Sequence, residues 1–216
     1  MRTDMHAQRV VDEVGRRAVV DVLRVTYQHE KRWVSDPETQ FPAGDLTRPD
    51  ISWFLATARS RPAGVLRVLY DPPLALYASY GFKALDPSIR VEDFVRRNRI
   101  AEIGRFAVLP RYRRRMMLAA ALMRASTAEV VARGYTHFVT DVLEDDPHSP
   151  YGFHTRVMGF HPVATHDVGE LACRSRRITL VLDLRTAYKR LRIRGNWLYR
   201  YLTGPWDDAL HRHMLA

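Results

Sequence analysis

Glu102 and Arg105 stand three residues apart inside the run EIGRFAV, residues 102–108, whose remaining side chains suit a buried strand. Burying either charge alone is costly, so the pair needs a reason to be there. The chemistry open to it is acid–base work on a charged substrate. Glu102 can take a proton from a substrate group, directly or through a water, and partial burial would raise its pKa toward a useful value. Regular strand alternation would send residues three apart to opposite faces. A β-bulge at residues 104–106 removes that conflict, brings both side chains to one pocket and frees backbone N–H groups there. Gly104 marks the place. The structural alternative for Glu102 is a salt bridge to Arg105 or Arg67.

Other cations gather around this run. Arg67 lies between Val65 and Leu69 on one face of a second candidate strand and needs an anion, either a structural carboxylate or a substrate's. Pro110 closes the 102–108 run, and Arg111, Arg113, Arg114 and Arg115 lead straight into the apolar stretch MMLAAALM at 116–123. A cationic turn that feeds a helix start suits an anion, because the first-turn N–H groups and the helix dipole point at it.

The elements that position these groups follow from periodicity. Residues 5–28 carry Val11, Val14, Ala18, Val22 and Val25 at helical spacing, which predicts one helix packed on a sheet. Residues 34–49 hold three prolines and predict a long loop suited to covering a substrate. Residues 51–58 and 65–70 predict a hairpin joined through 59–64. The connection over 74–99 is less legible, with a short helix near 91–97. A helix from Met116 stops at Gly134, and strands follow at 135–142, 160–164 and 177–184, with a short helix over 150–158. Residues 186–216 mix Lys189, Arg190, Arg192, Arg194 and Arg200 with Trp197, Tyr199, Tyr201 and Trp206. Such a tail suits a membrane surface or an acidic protein, or simply packs its aromatics on the domain.

Composition bounds the answer. A chain of 216 residues, 46% hydrophobic, can bury one substantial core, and its single cysteine, Cys173, excludes an internal disulfide and a multi-cysteine zinc site. No metal site is expected from the histidines, which lack a ligand spacing. No stretch has the length and character of a secretory leader or a membrane span, so the expected setting is the cytoplasm, with the tail able to touch the inner membrane face. The formal charge of +10 asks for an acidic partner: nucleic acid, an anionic membrane, an acidic carrier protein or a phosphorylated cofactor. No helix-turn-helix, zinc-finger or RNA-binding signature supports a basic nucleic-acid-binding module.

The order of elements, ending in a short helix before Gly159-Phe160 and a further strand, resembles the GNAT acyltransferase fold over residues 10–185. Within it the chain resembles the branch fed by acyl carrier protein, the acyl-homoserine-lactone (autoinducer) synthases and the N-acyl amino acid synthases. Glu102-Ile103-Gly104-Arg105-Phe106 is similar to that branch's Glu-x-Ser-Arg-Phe, with Gly104 for serine. Gly64-Val65-Leu66-Arg67 resembles its Gly-x-x-Arg. Arg24, Tyr27 and Trp33 sit at spacings similar to its N-terminal Arg, Phe and Trp, with the middle aromatic shifted, and Asp45 and Asp50 lie near its paired acidic residues at a different spacing.

The resemblance implies an α/β (α+β) fold with a mixed, mostly antiparallel sheet flanked by helices over residues 1–185, and a basic-aromatic appendage over 186–216. It implies an N-acyltransferase that joins a medium- or long-chain acyl group to the amine of an amino acid or similar small amine. Glu102, Arg105 and Phe106 would form the catalytic strand, with His154 or Tyr151 as acid. Arg24, Trp33 and Arg67 would bind the acceptor. No tightly bound cofactor is implied; the donor is a thioester of phosphopantetheine on acyl carrier protein, or of coenzyme A, held by Arg111, Arg113, Arg114 and Arg115. Acetyl-coenzyme A users carry Arg-x-x-Gly-x-Gly/Ala at this turn, whereas the matching Arg113-Arg114-Arg115-Met116-Met117-Leu118 has neither glycine. That departure favours the carrier protein over the main alternative, an acetyl-coenzyme A-dependent small-molecule N-acetyltransferase. A deep apolar tunnel between the 102–108 strand and the 135–142 strand would suit a fatty chain.

Overall fold

The computed structural model describes residues 5–74, 79–85 and 90–215. Its apolar runs form a sheet of β1 Met5–Arg9, β2 Ile51–Ala58, β3 Arg61–Tyr70, β4 Lys83–Ala84, β5 Ile100–Val108, β6 His137–Leu143, β7 His161–His166 and β8 Arg177–Asp183. The spatial order is β1-β2-β3-β5-β6-β8-β7-β4. Neighbours run antiparallel except β5 and β6, whose parallel pairing requires a crossover. Helix α3, Met116–Ala132, supplies it, after α1 Glu13–Leu23 and α2 Val91–Arg97. The expected mixed, mostly antiparallel sheet with flanking helices is present. Part of the 74–99 connection, residues 75–78 and 86–89, lies outside the described residues.

Alternation along β2 sorts the two faces. Phe54 and Ala56 join the core under α3 with Leu118 and Leu122, whereas Trp53 and Leu55 join the core under α1 with Val19 and Leu23. The sheet is thus sandwiched between α1 and α3. The cover over residues 34–49 holds two 3-10 turns, Pro37–Gln40 and Ala43–Leu46, and is pinned by Phe41 stacked on Trp53 at 4.5 Å.

The N-terminus differs from the single helix predicted over 5–28. Residues Met5–Arg9 pair with β2 as an edge strand, Asp12 caps α1, and a π-helical turn, Arg24–Glu30, follows it. The predicted face is also wrong: Val11 and Val14 are 72% and 79% exposed. The buried stripe is Arg16, Val19, Val20 and Leu23, equally helical in spacing but headed by an arginine that pattern reading places outside. Arg16 is buried because Glu13, Glu38 and the Phe41 carbonyl satisfy its guanidinium. The hairpin is tighter than predicted, with Arg59 and Ser60 alone forming its turn.

The segment expected as an appendage holds three helices, α4 Leu184–Arg194, α5 Trp197–Thr203 and α6 Asp208–Leu215. Tyr188, Leu191, Leu198, Leu202 and Met214 belong to the same core as α3. Among the described residues, no helix is long and apolar enough to cross a membrane.

Candidate active site

The parallel ladder between β5 and β6 stops at Ile103 and Thr140, although both strands run on. Thr140 Oγ1 donates to the Ile103 carbonyl at 2.8 Å, so the last carbonyl before the strands part is satisfied by a side chain. Beyond that point a cleft of about 180 Å³ opens between the strand ends. On the other edge of β5, Val65 faces Ala107 and Arg67 faces Gly104, so that Leu66 alone stands opposite Arg105 and Phe106. This is the bulge the sequence predicts, and Arg105 at its centre has φ +51°, uncommon for a residue with a side chain. Glu102, Gly104, Arg105 and Phe106 consequently all line the cleft.

Two carboxylates and two guanidiniums interlock there. Arg67 Nη2 donates to Glu102 Oε1 at 3.1 Å, and Arg105 Nη2 to Glu170 Oε2 at 2.7 Å, with Arg67 Nη2 3.7 Å from Glu170. Arg105 Nε donates to Gln40 of the cover at 2.7 Å. Burial pushes the Glu102 carboxyl up; Arg67 opposes this, and Asp141 and Glu170 add to it. Burial also pushes Glu170 up, but the charges of Arg105 and Arg67 outweigh it and leave that carboxyl lowered. The site therefore holds one carboxylate tuned toward proton uptake and one held ionised. Arg67 Nε is buried with no partner among the described residues. A Cβ on Gly104 would lie 3.0 Å from Arg67 Nη2 and 3.2 Å from Glu102 Oε1, so glycine keeps the pair uncovered.

Residues 17–160 match the model of the acetyltransferase (GNAT) family. The chain belongs to the GNAT family. No curated protein sequence matches it. Among solved structures it is similar to FeeM, an N-acyl amino acid synthase from uncultured soil microbes, at 16% identity and TM-score 0.67, covering 89% of this chain and 98% of that one. It is also similar to the ribosomal-protein-S18-alanine N-acetyltransferase from Escherichia coli, at 14% identity and TM-score 0.56, covering 83% and 94%. RimL, a ribosomal L7/L12 α-N-protein acetyltransferase in complex with coenzyme A, matches at 14% identity and TM-score 0.56 over 85% and 95%. Identities this low establish a shared fold.

The GNAT cleft collects part of the predicted set. Glu102, Arg105, Phe106, Trp33 and Arg113 line it, and Arg67 lies behind this wall, against Gly104 and paired with Glu102. Tyr27, edge-on to Trp33 at 5.1 Å, lines it too. Arg24 stays outside, its guanidinium paired with Asp21. Asp45 and Asp50 are engaged by Arg48 away from the cleft. Arg113 binds Glu30 through both terminal nitrogens at 2.6 and 2.5 Å, whereas Arg111, Arg114 and Arg115 project into solvent. Tyr151 is exposed and off the cleft wall. His154 is fully buried against Phe160, Phe106 and Phe153, at ring distances of 4.9, 5.4 and 5.7 Å, and burial pushes its pKa down to about 3. It is a neutral core ring beneath the cleft.

Glu170 is the site residue that sequence reasoning misses. It lies in the loop between β7 and β8, which Arg177 folds inward by donating to the Asp167 and Leu171 carbonyls at 3.1 and 3.0 Å. The Ala172 N–H completes the fold by donating to the Trp33 carbonyl at 3.1 Å. The one available signal was Arg177 itself, an arginine opening an apolar strand. The expected apolar tunnel takes a mixed form: Ile103, Ala107 and Val142 share the walls with Glu102, Arg105 and Asp141.

Proposed function

We propose that this GNAT enzyme transfers an acyl group from the thioester of an acyl carrier protein to the amine of an amino acid or similar small amine. The observation that carries the reading is the cluster at the parting of β5 and β6: a buried, proton-seeking Glu102 beside guanidiniums placed for a carboxylate. In this reading the acceptor's carboxylate takes up the free donor of Arg67 and competes with Glu170 for Arg105, where a guanidinium fork fits two oxygens. Glu102, directly or through a water, removes a proton from the amine, whose nitrogen attacks the thioester carbonyl. Edge N–H groups of β5 past Ile103, free of the β6 ladder, would hold the oxyanion. The C–S bond then breaks and the departing thiolate takes a proton, leaving an amide and a free thiol. Phe106 and Trp33 wall the reacting centre from bulk water.

The carrier-protein donor is supported by the turn before α3, which lacks both glycines that close a backbone cradle around a pyrophosphate. The likeness to FeeM fits the acceptor class. Coenzyme A as donor is the second reading, favoured by the shared fold with the coenzyme A-bound RimL. Expression in a bacterium followed by mass spectrometry of the lipid extract should reveal an N-acylated amine that Glu102→Gln abolishes. A purified protein that consumes acetyl-coenzyme A and ignores acyl carrier protein would overturn the proposal.

A further inference from the structure

Resting on the carrier-protein reading above, we propose that the basin where the β2–β3 hairpin meets the turn before α3 is the docking surface for the carrier protein's acidic face. The cleft takes the thioester; this basin takes the protein that bears it. Ala58, Arg59, Arg61, Tyr112 and Arg115 surround a depression of about 400 Å³. The guanidiniums of Arg111 and Arg115 sit over the Tyr112 ring at 4.9 and 5.5 Å, which holds two flexible cations in place at the rim. Arg59 and Ser60 form the hairpin tip at φ +50° and +59°, a turn that glycine or asparagine would make more easily. An arginine is thus presented at a position whose backbone does not favour it.

The charges there are uncommitted. Arg113, in the same turn, is locked onto Glu30. Among the described residues, none of Arg59, Arg61, Arg111, Arg114 and Arg115 has a carboxylate within 4.0 Å, and all five are exposed. Met116, which follows them, is 46% exposed, and α3 starts there with no side-chain cap on its N–H groups. Arginine, tyrosine and methionine together are the composition of a protein interface rather than of a merely solvated surface. The basin also neighbours the cleft, because Tyr112 on the basin wall and Arg113 on the cleft wall are consecutive residues of one turn. A partner docked here sits beside the opening that a thioester arm must enter, a benefit neither a nucleic acid nor a bilayer would draw. Complementary charge at such a rim acts mainly on the rate of encounter.

The test compares two donors carrying the same acyl chain: the acyl carrier protein, and an acyl-pantetheine thioester with neither protein nor phosphate. The double variant Arg59→Glu/Arg61→Glu should lose about tenfold or more in kcat/KM with the carrier, through KM. It should keep its rate with acyl-pantetheine, and Arg59→Lys/Arg61→Lys should recover most of the loss. Unchanged kinetics with the carrier would overturn the docking surface while leaving the donor reading intact. An equal loss on both donors would also overturn it, assigning these arginines to the cleft or to folding. If the wild-type protein ignores the carrier, the donor reading falls and the docking surface with it. If duplex DNA or anionic vesicles bind the wild type more tightly than the carrier does, and lose that binding in the double variant, the basin belongs to a polyanion instead.

Discussion

Two titratable side chains, Glu102 on the cleft wall and His154 among the core aromatics, are shifted by burial in opposite directions. Glu102 is pushed up by burial and lines the cleft, so in the proposed reaction it would serve as a base only above its raised pKa. Activity at saturating donor should therefore rise with pH along a limb above the ordinary carboxylate value of 4.5. Glu102→Gln should remove that limb and lower kcat by about 10²–10⁴, measured by thiol release. His154, enclosed by Phe106, Phe153 and Phe160, ties stability to pH. Its pKa falls from 6.5 to about 3 on folding, so below pH 6.5 the unfolded chain binds a proton that the folded chain refuses. The contribution is fully present above 6.5 and is lost as pH falls, amounting to about 2 kcal/mol between pH 7 and pH 5. His154→Leu, which fills the same space without two unpaired nitrogens, should flatten that slope in urea denaturation and be neutral or stabilising at pH 7. A variant that kept the wild-type slope would show that the ring reaches water.

At the scale of elements, the cover over residues 34–49 depends on α1 through Arg16. Its guanidinium gathers Glu13, Glu38 and the Phe41 carbonyl, and the neighbouring Gln40 positions Arg105. Arg16→Ala should destabilise the fold by about 2 kcal/mol, because it strands a buried carbonyl and two partly shielded carboxylates. The same change should raise KM for the acceptor with kcat less affected, since Glu102 does not touch the cover. Arg16 also shows where sequence legibility ended. Six of the eight strands were readable because alternation and turn residues agree, whereas β1 was read as helix and β4 fell in the less legible connection; the bulge was readable because Gly104 stood between two charges that regular pleating would separate. The stripe of α1 was not readable, because its leading member is a charged residue whose burial depends, beyond the local Glu13, on partners 22 and 25 residues away. Glu170 was invisible for the same reason: nothing local to it announces that Arg177 folds its loop over the cleft.

For the whole molecule the open question is where the folding unit ends. Basic and aromatic composition suggests an appendage after residue 185, yet α4–α6 complete the core on the α3 side. Tyr188, Leu191, Leu198, Leu202 and Met214 are each less than a tenth exposed within it, and each such side chain contributes about 1.5–3 kcal/mol of burial. Arg190 seals the join by donating to the Met158 carbonyl at 2.8 Å, where Gly159 turns the chain toward β7 with φ +92°. A Cβ on Gly159 would lie 1.5 Å from Arg190 Nη2 and would demand a left-handed backbone from a residue with a side chain. Gly159→Ala should therefore cost more than about 1 kcal/mol, by straining the turn and expelling the arginine. Deleting residues 186–216 should do far more, since a domain with about 5–15 kcal/mol of stability cannot lose five core side chains and stay folded. The measurement is cooperative thermal unfolding of the shortened chain, followed by circular dichroism. A sharp transition from a soluble monomer would restore the appendage and place the domain boundary near 185; an aggregated chain, or one that melts without a transition, would make the tail part of the enzyme's fold.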